Sequence, residues 1–335
     1  MLRWSTSIPI PFAFFAHSVQ IDNLAYFVLD FKQLFVLNID SYDLTELQCN
    51  FPDFECYAFR LSTYNGHIYM FAQGLNWTFK LFKLEEKEWV HLVTFADKNF
   101  QLECPIIDDK MHLLEENNGF YINVVNLSTG AVERRFELNA NEACDCYPIL
   151  ISHHKKLYSI DLTNDGRRIV SLIQNQRSTI VHTDQIGLEF INTGFSEKYF
   201  QGSMFNLTDN KQDEYLYLDT FDFVNREWIR RSVEKCWYES EGLLSVVNVG
   251  DRLVSVVSHS NHSTIRVLEL EPKLSTSCIL GIADNLMEDY YREKVEEVMQ
   301  RLPLPLRSKM IDLMNWKLSY HKFEQQMKYE ESSNV

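Results

Sequence analysis

Short runs of alternating or wholly apolar residues, each bounded by a polar turn, repeat along this chain. His67-Ile68-Tyr69-Met70-Phe71 puts apolar side chains on both faces of an extended segment, as in a strand covered on two sides. The same order recurs. A first strand (CYAFRLS from Cys56, CPIID from Cys104, CYPILIS from Cys146) leads into a turn such as Tyr64-Asn65-Gly66 or Asp108-Asp109-Lys110. A second strand comes next (HIYMFAQ, KMHLLEE, KLYSIDL, RLVSVVS), then a polar loop and two more strands. Four short strands per unit with evenly spaced turns predicts an all-β chain.

The third and fourth strands carry the clearest mark. Phe82–Trp89 (FKLEEKEW) and Phe221–Trp228 (FDFVNREW) place an aromatic and a Trp at identical spacing around an acidic or polar turn. Weaker copies start at Val125 and Val267, and more eroded ones at Val36 and Val170. The anchors at 36, 82, 125, 170, 221 and 267 lie 46, 43, 45, 51 and 46 residues apart. A period near 45 residues with four strands is that of a β-propeller blade. The expected blades span about 14–50, 51–99, 100–140, 141–185, 186–235 and 236–283. Residues 1–13 are read as an outer strand closing the ring, because WSTSIPIP resembles the segments that begin at Trp89 and Trp228. A lead-in strand to the first blade is the rival reading.

From Asp284 the pattern changes period. Leu286, Tyr290, Val295, Val298, Met299 and Leu302 recur at helical spacing behind Asp284 as N-cap, and Pro303 ends the run. Leu306–Tyr329 continues as a second helix, so a C-terminal α-helical pair is expected over 284–329, with a disordered tail at 330–335. Its five methionines, Met310 and Met314 among them, suit either a cap on the propeller or an adaptable docking face.

Composition trims the function classes. A net charge of −15 with no long basic run argues against nucleic-acid binding. Only 11 Gly and 8 Pro serve many turns, so Asn and Asp must carry much of the turn chemistry. Seven Cys without framework spacing read as free thiols in a reducing compartment, hence a cytoplasmic protein, with the nucleus as alternative. The IPIPFAFFA run is broken by Pro9 and Pro11 and reads as strand rather than a leader, and no stretch is long enough to span a membrane. Four Asn-x-Ser/Thr sites (Asn76, Asn126, Asn206, Asn261) keep a secreted binding module as an alternative.

Candidate chemistry is sparse. The pairs Glu55-Cys56, Glu103-Cys104 and Asp145-Cys146, with Cys144, could supply zinc thiolates, but close C-x-x-C pairs are missing and packed thiols are the plainer reading. His153-His154 reads as a surface turn, and His259 and His262 as solvated loop residues. No nucleophile elbow, P-loop or dinucleotide fingerprint is present. No metal and no cofactor is therefore expected.

The Phe82–Trp89 and Phe221–Trp228 segments resemble the kelch repeat, in which an apolar strand and two glycines precede a Tyr and, after six intervening residues, a Trp. Here Phe stands for the Tyr and the double glycine is missing, with Gln73-Gly74 and Asn118-Gly119 as remnants. The fold expected is thus a six-bladed, kelch-like β-propeller of four-stranded blades with the C-terminal helical pair. The resemblance implies that the second-to-third-strand loops share one partner-binding face. Exposed Trp, Tyr and Arg are the usual anchors there, which selects Trp77, Phe120, Arg167, Arg168 and Tyr215, beside Met310 and Met314 on the helices. The function implied is a non-catalytic, monomeric protein-interaction scaffold or adaptor. No BTB, BACK or F-box segment is legible, so recruitment to a ubiquitin ligase or another complex would need that machinery on a separate chain. A propeller enzyme acting on a sugar or small metabolite is the alternative by fold analogy alone.

Overall fold

The computed structural model describes residues 4–138, 148–163, 166–185, 205–209, 215–223, 225–234, 242–250, 252–259 and 262–269. All strand pairing between its named strands is antiparallel, and the strands group into sheets of consecutive neighbours. Blade 1 runs Ala16–Ile21, Leu24–Leu29, Gln33–Asn38 and Leu44–Leu47. Blade 2 runs Cys56–Tyr64, His67–Gly74, Phe79–Glu85 and Glu88–Phe95. Blade 3 has a two-residue first strand, Ile106–Ile107, then Lys110–Glu116, Phe120–Asn126 and Val132–Leu138. Blade 4 runs Ile149–His153, Lys156–Leu162, Arg167–Gln174 and Arg177–Gln185. A three-stranded sheet is next (Phe205–Asp209, Tyr215–Asp222, Glu227–Glu234). The closing blade takes Gly242–Val249, Arg252–Ser258 and Ser263–Glu269 from one end of the chain. Its outermost strand is Trp4–Ile10 from the other end, paired antiparallel to Ser263–Glu269.

Apolar seams join these sheets face to face around a ring. One core spans the closing blade and blade 1, from Val254 and Ile265 to Phe27 and Leu37. The next spans blades 1 and 2 (Val28, Leu34, Phe59, Met70), and a third blades 2 and 3 (Phe71, Leu81, Met111, Val125). Two more join blade 3 to blade 4, and blade 4 to the three-stranded sheet. Polar bonds tie the first strand of blade 2 to the segment entering blade 3: Ser62 Oγ donates to the Cys104 carbonyl at 2.7 Å, and Arg60 Nη2 to Glu103 at 2.9 Å. This arrangement is a β-propeller.

The periodic anchors explain the seams. Val36, Phe82, Val125, Val170, Phe221 and Val267 all fall on the strand next to the outermost one of their sheet. Phe82 and Trp89 are both buried in the blade 1–blade 2 core. Asp22, Asp30, Asn65, Asp97, Asp108, Asp109, Asn118 and Asn175 take positive φ, so Asn and Asp carry turns that glycine would otherwise fill.

The expectation of six four-stranded blades is corrected. Five four-stranded blades form, and the unit around Phe221 is a three-stranded sheet among the described residues. The anchor is a property of a local hairpin, which forms whether or not an innermost strand joins it. Counting anchors therefore counts hairpins, not complete blades. The expected helical pair at 284–329, Met310 and Met314 included, lies outside the described residues. Among the described residues the helical element is the short turn Leu75–Trp77, and no helix there is long and apolar enough to cross a membrane.

Candidate functional site

Antiparallel order sends the second-to-third-strand turns, and the links from one sheet to the next, to the same end of the ring. At that end of blades 1 and 2 the chain exposes large apolar side chains. Phe12, Phe14 and Phe15 lie in the link entering blade 1, Leu47 ends its last strand, and Tyr57 opens the first strand of blade 2. Leu75 and Trp77 form the second-to-third-strand turn of blade 2. Phe14, Tyr57 and Trp77 are 69%, 70% and 56% exposed, far above what core-forming residues retain. The other exposed large apolar residues among those described, Val90, Val132, Ile180 and Ile229, stand singly on outermost strands. Scattered residues are ordinary surface; a cluster is not.

This platform is held in shape. Asp30 Oδ1 accepts the backbone N–H of Phe14 at 2.9 Å and of Phe15 at 2.8 Å, while the Asp30 N–H donates to the Phe15 carbonyl. The Ala13 N–H reaches Ser263 Oγ in the closing blade, and the Phe12 and Phe14 rings pack edge to face at 4.8 Å. An open pocket of about 350 Å³ lies beside Phe14, Phe15 and Tyr57, with buried Phe31 and Phe59 at its base and Asp30 and Lys32 at its rim. Its size falls within the range of ligand-binding clefts. The Phe31 ring also meets Phe51 at 5.8 Å and Phe54 at 6.3 Å, so the base of the pocket runs on beneath the blade 2 turn. Gly74 precedes that turn because a Cβ there would overlap the Phe54 ring.

Two places on this surface hold non-glycine residues in left-handed backbone. Phe31 sits at φ 57, and Asn76 and Trp77 at φ 56 and 53. Bulky residues rarely take that region, and each costs about 1 kcal/mol or more unless surrounding bonds enforce it. Here the Lys32 N–H donates to the Leu29 carbonyl, and the Gly74 N–H to the Thr78 carbonyl at 2.7 Å. The strain directs an aromatic ring into the pocket base in one case and into solvent in the other.

The residues selected from sequence are dispersed. Trp77 is part of the platform. Phe120 is half-buried at the start of its strand and packs on the core between blades 3 and 4. Arg167 is exposed. Arg168, expected as a surface anchor, is 1% exposed instead. Its guanidinium donates bidentately to Asp184 (3.2 and 2.7 Å) and to Asp219 at 3.0 Å, and stacks 3.5 Å over Trp228. Arg230 closes the cluster with its own fork on Asp219 (2.7 and 2.8 Å). The strand begins at Arg167, so neighbouring arginines point to opposite sides and the second is drawn inward. Tyr215 opens the middle strand of the three-stranded sheet opposite Glu234, and its side chain is outside the described residues.

The Cys and His readings also sort by burial. Burial pushes the Cys104 and Cys56 thiols up to about 12, with hydrogen bonds from Ser62 and from the Ala58 backbone only partly opposing it. Both are therefore protonated at neutral pH, poor nucleophiles and poor metal ligands. Cys144 and Cys146 lie outside the described residues. His259, expected in solvent, is buried and bonded to Thr264 Oγ1 at 2.9 Å. His153 stacks flat on Phe223 at 3.7 Å, against the three-stranded sheet. Sequence reading missed Phe14, Phe15 and Tyr57. The available signal was three Phe within four residues directly after two prolines, too many for a short link to bury.

No family model matches the chain, nor does any curated protein, so the kelch likeness stays with the two anchor segments. Among solved structures it is similar to the Cps50 (Swd1) β-propeller domain of Myceliophteria thermophila. The two share 12% identity over 76% of this chain and 82% of that one, with a TM-score of 0.44. It is also similar to BamB from Moraxella catarrhalis (10% identity, 74% and 71% covered, TM-score 0.33). Raptor from Chaetomium thermophilum aligns at 10% identity and a TM-score of 0.45 over 81% of this chain but 30% of its own length.

Proposed function

We propose that this chain is a non-catalytic, kelch-like interaction scaffold that captures a protein segment on the platform of blades 1 and 2. One observation carries the reading: exposed aromatics gather at one end of two adjacent blades, around an open pocket whose base is also aromatic. Rigid rings lose little entropy on binding, and aromatic anchors beside a pocket are typical of binding hot spots. The pocket is apolar with one acid and one Lys at its rim, which suits an aliphatic or aromatic side chain of an extended partner segment. Asp30 is occupied by two backbone N–H groups, so it serves as a strut. The reading includes a cytoplasmic location, supported by Cys56 and Cys104 as protonated thiols outside any disulfide.

The test is selection of random displayed peptides on the full chain. Wild type should enrich sequences with a bulky apolar residue, and Tyr57→Glu with Phe15→Glu should lose them while keeping the same thermal midpoint. Enrichment that survives both substitutions would move binding off the platform.

A further inference from the structure

At the end of the ring opposite the platform, a groove of about 480 Å³ opens between blades 3 and 4. The first hairpin turns of the two blades form its walls, Asp108 with Lys110 on one side and Lys155 with Lys156 on the other. Glu133 and Arg134, at the start of the outermost strand of blade 3, also line it. Lys110 pairs with Glu133, and Lys155 with Asp108 at 3.0 Å, the latter bond linking the blades. Those pairs use both carboxylates. Exposed Arg134 and Lys156 are left with no ion pair among the described residues. In a chain of net charge −15, a cleft lined by Lys110, Arg134, Lys155 and Lys156 against only Asp108 and Glu133 stands out for its net positive charge.

The groove is not merely charged. Phe136 and Leu157 line it from the blade 3–blade 4 core, giving it an apolar floor. His112 lines it too, its half-buried ring set against the backbone of Pro105 and Lys110.

We propose that this groove binds an acidic peptide segment of a partner protein, with its carboxylates on Arg134 and Lys156 and an apolar side chain on Phe136 and Leu157. Charge complementarity selects an anion. The apolar floor favours a peptide over a small anion, and the two cations come from separate elements, the outermost strand of blade 3 and the first hairpin of blade 4. The acidic remainder of the surface repels nucleic acid or an anionic bilayer, whose charge would extend past the groove. The site is independent of the platform, so the scaffold would engage two ligands on opposite ends.

The experiment titrates the full chain into a fluorescein-labelled peptide of alternating Glu and Leu, read by anisotropy, beside a Gln/Leu control. Wild type should bind the acidic peptide much more tightly than the control, whose leucines still reach the platform, and that excess should shrink as salt rises. Arg134→Glu with Lys156→Glu should weaken binding about tenfold or more, because two favourable charge contacts become repulsive. Tyr57→Glu should leave it unchanged, which separates this result from any failure of the platform reading. Both cations are exposed, so an unchanged melting curve checks the fold, and the Arg134→Ala/Lys156→Ala pair gives the same readout if charge reversal disturbs it. Equal binding of the control peptide, no loss in either double variant, or ready displacement by inorganic pyrophosphate would overturn the peptide assignment.

Discussion

The seam between blades 1 and 2 and the seam between blade 4 and the three-stranded sheet join neighbouring sheets by opposite means. The first is mainly aromatic and aliphatic, with Phe31, Phe51, Phe54, Phe59, Phe82 and Trp89 in one cluster and a single Arg60–His17 contact between the innermost strands. The second adds to its apolar core the cluster Arg168, Asp184, Asp219 and Arg230, in which each buried charge is met by a fork or a ring face. Apolar contact is non-directional, so an aromatic seam can run out to the surface and leave rings exposed above it. A buried charge cluster must close on itself, because any group left over costs several kcal/mol. The proposed binding surface therefore lies over the aromatic seam, and the arginine expected to bind at the other is internal.

The largest test of this contrast is Arg168→Ala. It leaves Asp219 buried with only Arg230, strips Asp184 of its fork, and should cost about 3–5 kcal/mol in urea unfolding. A loss under about 1 kcal/mol would mean that the cluster is solvated and the contrast false.

Asp161, also in blade 4, shows what an unpaired charge does. Burial pushes its carboxyl up to about 6 from 3.8, and Oδ1 has no partner among the described residues. Between those values the folded chain holds a proton that the unfolded chain has released, so stability falls as pH rises through the window. Asp161→Asn should thus stabilise by up to about 3 kcal/mol at pH 7, an advantage that shrinks as pH falls through 6 toward 3.8. A flat difference across that range would assign the effect to packing.

Gly74→Ala sets a Cβ against the Phe54 ring, with an expected cost of about 1–2 kcal/mol as the half-buried ring moves and loosens the turn above it. The change should be visible in Trp77 fluorescence. Smallest in stability is Trp77→Asn. Asn accepts left-handed backbone more readily, so stability should hold or rise by up to about 1 kcal/mol. Peptide capture by the platform should nevertheless drop. Unchanged capture would remove Trp77 from the binding surface.

Much of this was legible in the chain and some was not. Phe82, Trp89, Phe221 and Trp228 announced hairpins because a two-strand turn is a local object, written within about ten residues. The hairpin signal does not report how many strands join it, and the expected count failed at the unit around Phe221, which has three strands among the described residues. Arg167 and Arg168 look alike in sequence. Only the alternation of side chains along the strand that holds both, with the two aspartates 16 and 51 residues further on, decides which one is buried.

By itself, then, the sequence determined the repeat period, the all-β character, the position of the anchors in their sheets and the use of Asn and Asp at turns. Each arises from side-chain alternation and local backbone preference, which need no distant partner. The tertiary structure decided between the two sequence readings of the first strand, pairing Trp4–Ile10 into the closing blade, and it alone decided that Phe14, Phe15 and Tyr57 stand together and that Arg134 and Lys156 face one cleft. Those facts join residues from separate links and blades, and no local pattern records which segments a closed ring will bring side by side.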